Sequence, residues 1–284
     1  MTYKLNNGKE IPNIGFGTFK AQGNDCEKSV IEAIKAGYRL IDTAFAYDNH
    51  LEVGKGIKEG LKETNLKRED LFITTKLWSD QRKYNDVIAA TKQALFELGL
   101  DYLDLLLIHW PNPLPYRKTE NSYIEINNET YSAMEKLYKE GVVRAIGVSN
   151  FMIKHLQNLT YNIKPMVDQV LRTPGQAKME LYNYLKNENI MMEAYTPLGK
   201  PPLLNDIRIL KLANKYNCTA AQVLLAYQIN CQVIPLVKSI HKDRLISNLE
   251  STKIVLTKED IEYLNNLKLD TPIQTEYEID HREF

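Results

Sequence analysis

The chain has 284 residues, 44% of them hydrophobic, with Lys+Arg and Asp+Glu each totalling 36, so its formal charge at pH 7 is zero. That length suits one α/β barrel, which typically needs about 250 residues, and leaves enough apolar material for a large core. A neutral chain has no global field to draw it to nucleic acid or an anionic membrane, so any anion site must be a local cluster.

Three cysteines, Cys26, Cys218 and Cys231, are odd in number and widely spaced, with no CxxC or Cys/His ligand pattern, so no metal site is expected. A reducing, cytoplasmic setting is the expectation. The opening MTYKLNNGKEIP has no apolar signal core, and no run approaches the 18 residues needed to span a bilayer, which predicts a soluble, unsecreted protein.

In chain order, Asn6-Asn7-Gly8 between two short β-prone pieces predicts a hairpin. A first strand then runs through Asn13-Ile-Gly-Phe-Gly. Gly15 and Gly17 invite a dinucleotide-fingerprint reading, but the third glycine and the expected downstream acid are missing. Close approach of a ligand or a neighbouring strand accounts better for Gly17. From there helical spacing at about 25–36, 50–62, 84–98, 128–140, 152–159, 175–188 and 242–250 alternates with the β-rich runs LIDTA, LFITTK, LDLLLIHW, VRAIGVSN, MVDQV, IMMEAYTP and VIPLVKS. Two further helical segments, about 205–216 and 219–230, precede the last run, and one near 257–267 follows it. Regular alternation of this kind demands parallel strands with right-handed crossovers. The predicted fold is therefore α/β, a (β/α)8 TIM barrel with an N-terminal β-hairpin and an extra C-terminal helix, with 1–284 as one domain; an open doubly wound sheet is the other topology with this pattern.

The residue ending each β run is Thr18, Asp42, Lys76, His109, Ser149 with Asn150, Gln169, Tyr195 and Lys238. In a parallel barrel these ends share one mouth, however far apart they are in sequence. Asp42 could be a helix cap, Tyr47 a packing tyrosine, Asp42 with Lys76 a structural ion pair, and His109 a core histidine. Together they also make a proton-delivery set. A phenol ordinarily titrates near 10 unless a cation stabilises its phenolate, and Lys76, held charged by Asp42, could do this while His109 orients the receiving oxygen. Ser149, Asn150 and Gln169 suit a carboxamide, and Tyr195 offers a face for a flat ring or simple packing. Lys238, Ser239, Arg244 and Asn248 place two cations and a hydroxyl near a helix N-terminus, which suits a phosphate monoester or forms a solvated basic face.

Through GFGT at 15–18, LIDTA with Tyr47 and NHLEVG, ITTKLW at 73–78, DLLLIHWP at 104–111, AIGVSNF at 145–151, AYTPLG at 194–199 and VKS at 237–239, the chain resembles the aldo-keto reductases. The resemblance implies the (β/α)8 fold and an extended NADPH lying across the barrel mouth without a Rossmann loop. It gives Asp42, Tyr47, Lys76 and His109 the places of the catalytic tetrad, with Tyr47 the acid in reduction. It puts Gly17, Thr18 and Asp42 against the cofactor, Ser149, Asn150 and Gln169 on the nicotinamide with Tyr195 stacked there, and Thr196, Leu198 and Gly199 over the pyrophosphate. Lys238, Ser239, Arg244 and Asn248 then meet the 2′-phosphate and adenine, which favours NADPH over NADH. A small-molecule carbonyl would enter between Phe19, Tyr47, Trp78, His109 and Trp110, with the loop 113–123 and the tail 271–284 as rims. The protein is expected as a monomer or weak dimer.

The sequence departs from that pattern at Phe19, where many relatives carry Trp, at His50 in place of Glu, at Asp168 in place of Asn, and at Arg172-Thr-Pro-Gly, which lacks a His-Pro pair. Two other readings are an NADPH-binding regulatory subunit with little turnover and a barrel hydrolase using Glu193 with Asp168.

Overall fold

A computed structural model describes residues 1–117, 119, 121–270 and 273. The tail expected at the rim, 271–284, lies outside the described residues except for Ile273. Strands β1 (Thr2–Lys4) and β2 (Glu10–Pro12) pair antiparallel with Tyr3 opposite Ile11. Their turn is a three-residue loop: Leu5 N–H donates to Lys9 O and Gly8 N–H to Leu5 O, both at 2.9 Å, and Gly8 takes φ +83°. That left-handed position is one glycine adopts without penalty. The hairpin sits across the amino end of the barrel, where Asn6 donates to Pro165 O and Asn189 O and Asn7 to Arg144 O.

The barrel strands are β3 (Gly15–Gly17), β4 (Leu40–Asp42), β5 (Phe72–Leu77), β6 (Leu105–Ile108), β7 (Ile146–Ser149), β8 (Val167–Leu171), β9 (Met191–Tyr195) and β10 (Ile234–Val237). All run parallel, and β10 pairs with both β9 and β3, so the sheet closes and the open-sheet topology is excluded. Around it stand α1 (Gly23–Ala36), α2 (His50–Thr64), α3 (Tyr84–Leu98), α4 (Tyr123–Lys139), α5 (Ile153–Gln157), α6 (Met179–Asn187), α7 (Lys200–Leu204), α8 (Ile207–Lys215), α9 (Ala220–Asn230), α10 (Lys242–Glu250) and α11 (Lys258–Asn265). The last packs on α9, with Tyr227 Oη donating to Asn265 at 2.8 Å. Among the described residues no helix is long and apolar enough to cross a membrane.

Three helices differ from expectation. α4 starts well before residue 128 because its first inward turns carry polar Asn127 and Thr130, which break the apolar period but are bonded by the buried guanidinium of Arg82. α6 starts late because Gln176 N–H closes a turn on Thr173 O and Lys178 is left-handed at φ 46°. The short α7 was not expected; its prolines sit in the first turn, where no backbone donor is needed.

Cross-strand register decides which residues face inward. Gly17 pairs with Asp42 and Asp42 with Thr74; Lys76 pairs with Leu107, Ser149 with Gln169 and Gln169 with Glu193. Since neighbours in register share a face, these side chains fill the barrel interior. A Cβ at Gly15 would lie 2.5 Å from Leu236 and one at Gly147 2.4 Å from Val167 O, so both glycines make room for close packing. Gly17 differs: among the described residues nothing lies within 4 Å of its Cβ position, which opens toward the mouth.

Candidate active site

Strand β4 is apolar until its last residue, and the register turns Asp42 inward, where it is 3% exposed. Lys76, on the adjacent strand, is fully buried. Its Nζ donates to Asp42 Oδ1 at 2.6 Å, Oδ2 at 2.8 Å, Thr43 O at 3.0 Å and Tyr47 Oη at 3.2 Å. Burial alone would push the ammonium down, but the Asp42 carboxylate and the Tyr47 oxygen outweigh it and hold Lys76 above its ordinary value.

Tyr47 reaches this ammonium because the chain leaves β4 through a single tight turn, Phe45–Tyr47, closed by Tyr47 N–H to Ala44 O at 3.0 Å and followed by left-handed Asp48. The Tyr47 ring packs against Phe19 at 5.1 Å between centroids and meets the His109 ring edge-on at 5.8 Å; Trp78 backs His109 at 5.0 Å. Asn49, the residue just before α2, is buried scaffolding: it accepts from Thr43 Oγ1 and donates to Thr18 O and Ala21 O.

Gln169 extends the polar interior. Its Nε2 donates to Asp42 Oδ2 at 3.0 Å and Glu193 Oε2 at 2.8 Å. Glu193 is fully buried; desolvation, with Asp42 adding repulsion, pushes its carboxyl up to about 8, so it keeps its proton at neutral pH. Reasoning from the sequence missed this link, although an acid inside the apolar run IMMEAYTP was its visible sign.

Register overturns the paired-carboxylate reading. Asp168 pairs with Met192 while Glu193 pairs with Gln169, so the two acids lie on opposite faces of the sheet and cannot flank one bond. Asp168 is instead buried on the other face of the sheet, where the Phe151 backbone N–H holds it only weakly, and desolvation raises its carboxyl well above the ordinary range. Its exchange for Asn therefore leaves the cavity untouched. Asp168→Asn is expected to stabilise the protein by about 1–2 kcal/mol at pH 8, the scale of one poorly satisfied buried polar group. The unfolded carboxyl ionises near 3.8 and the folded one much later, so wild-type stability is lost as pH rises above that unfolded value. The variant's advantage in thermal melts should accordingly be larger at pH 8 than at pH 4.

A cavity of about 230 Å³ opens over these groups, lined by Gly17, Phe19, Asp42, Tyr47, His109 and Trp110 on one side and by Ser149, Asn150, Gln169 and Tyr195 to Leu198 on the other, with Lys238 at its edge. Asn150, at φ 64°, donates to His109 O at 3.0 Å and accepts from Tyr195 Oη at 2.8 Å, while Ser149 Oγ donates to Gln169 O at 2.7 Å. Lys238 Nζ donates to Lys20 O at 3.0 Å, and burial lowers its ammonium, as does the charge of Lys20.

Not every expected residue reaches the cavity. Thr18 is buried beneath it, with its hydroxyl on Asp42 O; Trp78 buttresses His109 without lining the wall; Gly199 caps α7. Ser239, Arg244 and Asn248 lie beyond Lys238: Ser239 bonds within its own turn, buried Asn248 meets the Tyr38 hydroxyl, and exposed Arg244 makes no hydrogen bond or ion pair among the described residues. No group of three or more His, Cys, Asp or Glu among the described residues could hold a metal ion. The chemistry fits the cofactor implied by the sequence: neutral donors and acceptors sit beside an aromatic face, and any side chain at Gly17 would project into the space a ligand could occupy.

The family model for the aldo/keto reductase family matches residues 13–268. A glyoxal reductase of Bacillus subtilis is 43% identical over 272 residues, covering 95% of this chain and 93% of the relative. A glycerol 2-dehydrogenase (NADP(+)) of Saccharomyces cerevisiae is 37% identical, covering 93% and 89%. Among solved structures, a Bombyx mori aldo-keto reductase in complex with NADP aligns with a TM-score of 0.90 at 32% identity, over 100% of this chain and 97% of that one. A fold that closes the barrel, a phenol, an ammonium, a carboxylate and an imidazole gathered at its mouth, and these likenesses together establish that the chain belongs to the aldo/keto reductase family.

Proposed function

We propose that the protein reduces small aldehydes and ketones, dicarbonyls and keto sugars among them, to alcohols with NADPH, and that Tyr47 delivers the proton. The observation that carries this reading is the Tyr47 hydroxyl 3.2 Å from the Lys76 ammonium, which is itself clamped by Asp42, at the floor of the cavity. Bound NADPH supplies the reducing electrons as hydride to the carbonyl carbon. The chain supplies the rest. Tyr47 gives its proton to the oxygen on which negative charge develops; Lys76 stabilises the phenolate left behind; His109, edge-on to Tyr47, positions that oxygen. Ser149, Asn150 and Gln169 would hold the carboxamide and Tyr195 the ring, with Phe19 and Trp110 excluding water from the carbonyl. The small cavity and the Bacillus subtilis relative both favour compact substrates such as glyoxal.

The test is loss of NADPH absorbance with a panel of aldehydes and diketones, repeated with NADH. Turnover with at least one small carbonyl is expected, and none on any of them would overturn the reading. Lys238 and Arg244 would meet the 2′-phosphate, so Arg244→Ala is expected to raise the KM for NADPH about tenfold, the loss of one charge-assisted contact, with little change for NADH. Equal losses with both would refute phosphate recognition.

A further inference from the structure

Glu193 has no part in the roles assigned above, yet it is fully buried inside the barrel, and its one hydrogen bond among the described residues, through Oε2, is to the same amide nitrogen that touches Asp42. Oε1 has no partner among the described residues, so the carboxyl is not a structural tie on that side. We propose that Glu193 is a positioning residue for proton delivery, acting through Gln169 on the Asp42–Lys76 pair, and that its ionisation sets the alkaline limit of carbonyl reduction. This rests on the reading of Tyr47 as the acid.

On its own strand the titratable neighbour of Glu193 is Tyr195, whose hydroxyl donates to Asn150 Oδ1. Asp42 faces it from β4 and Lys76 from β5; Gln169 of β8 is neutral, and Asp168 lies on the other face of that strand. No ionisable side chain occurs in Gly15–Gly17, Leu105–Ile108, Ile146–Ser149 or Ile234–Val237. Tyr47 and His109 stand above, at the cavity.

With Glu193 protonated, the interior holds one carboxylate and one ammonium and is balanced. Once Glu193 loses its proton, two carboxylates share one ammonium in a dry interior, where charges interact strongly. The field of Lys76 at the Tyr47 oxygen is then partly cancelled. A phenol surrendering its proton there becomes a phenolate facing a more negative interior, so it is a weaker acid and reduction slows. Gln169 also gains a stronger acceptor on the Glu193 side, which draws its amide away from Asp42. Both effects have the same sign: activity falls as pH rises through the Glu193 ionisation.

Glu193→Gln keeps an oxygen to accept from Gln169 and removes the titration. The experiment is the pH profile of kcat for NADPH-driven reduction of glyoxal from pH 6 to 10, each enzyme normalised to its own maximum. For a single ionisation at about 8, the wild-type rate should be halved near that pH and fall roughly tenfold one unit higher, whereas the variant should show no decline centred there. Superimposable normalised profiles overturn the proposal. Absence of NADPH consumption by the wild type at every pH would instead overturn the proposed function. Should the variant fail to fold, carbon-13 carboxyl resonances of glutamate-labelled wild type decide the matter: one glutamate titrating near pH 8 supports the proposal, and every glutamate titrating below pH 6 overturns it.

Discussion

Tyr47→Phe is expected to bind NADPH with a Kd within about twofold of the parent while losing carbonyl reduction by about 10²–10⁴-fold, the usual contribution of a general acid. The substitution removes one oxygen atom and nothing else. The ring retains its packing against Phe19 at 5.1 Å and His109 at 5.8 Å, so the cavity wall that a nucleotide meets keeps its shape. What goes is the hydroxyl 3.2 Å from Lys76, hence the only proton the proposed mechanism can place on the developing alkoxide. Nucleotide fluorescence titration gives the affinity and NADPH absorbance the rate. A variant that turns over within tenfold of the parent would sink the acid assignment, because solvent would then be delivering the proton.

Lys76→Met should be comparably inactive and, unlike Tyr47→Phe, markedly less stable. Removing the ammonium leaves Asp42 buried, with its charge uncompensated except by the Gln169 amide. Breaking one side of a buried ion pair typically costs about 3–5 kcal/mol. The double variant Lys76→Met/Asp42→Asn removes both charges and is expected to recover most of that loss in denaturant titrations without recovering turnover. This pattern separates the two roles of the pair: Asp42 is needed because Lys76 is charged, and Lys76 because Tyr47 must give up a proton. If the double variant stays as unstable as the single one, the loss is one of packing and the electrostatic account fails. If the single variant turns over normally, the phenol needs no cation.

Much of this arrangement was legible before any coordinates, for a definite reason. Parallel strands present their carboxyl ends on one side, so Asp42, Lys76, His109, Ser149, Asn150, Gln169 and Tyr195 could be grouped merely by being the residues at which β runs stop. What could not be read was the phase of alternation between neighbouring strands. Asp168 and Gln169 are adjacent in sequence and face opposite ways, and only the pairing of Gln169 with Glu193 shows which of them shares the interior with Asp42. The same gap hid the role of Glu193. Helix boundaries failed where inward positions are polar: Asn127 and Thr130 break the apolar period at the start of α4 because their partner, Arg82, is supplied by a segment more than forty residues away. Asn49 stands two residues after Tyr47 in the sequence, but its three bonds to Thr43, Thr18 and Ala21 depend on a fold that brings two loops together.

Those three bonds have an evolutionary consequence. Asn49 fastens the backbone on both sides of Phe19, so the stretch bearing that aromatic is anchored independently of which side chain it displays, while Tyr47 is aimed by its own turn after β4. Natural variation at position 19 can then remodel the substrates accepted without retuning proton donation, and a lineage could diversify its diet of carbonyls by exchanging one half-buried ring while inheriting its acid unchanged.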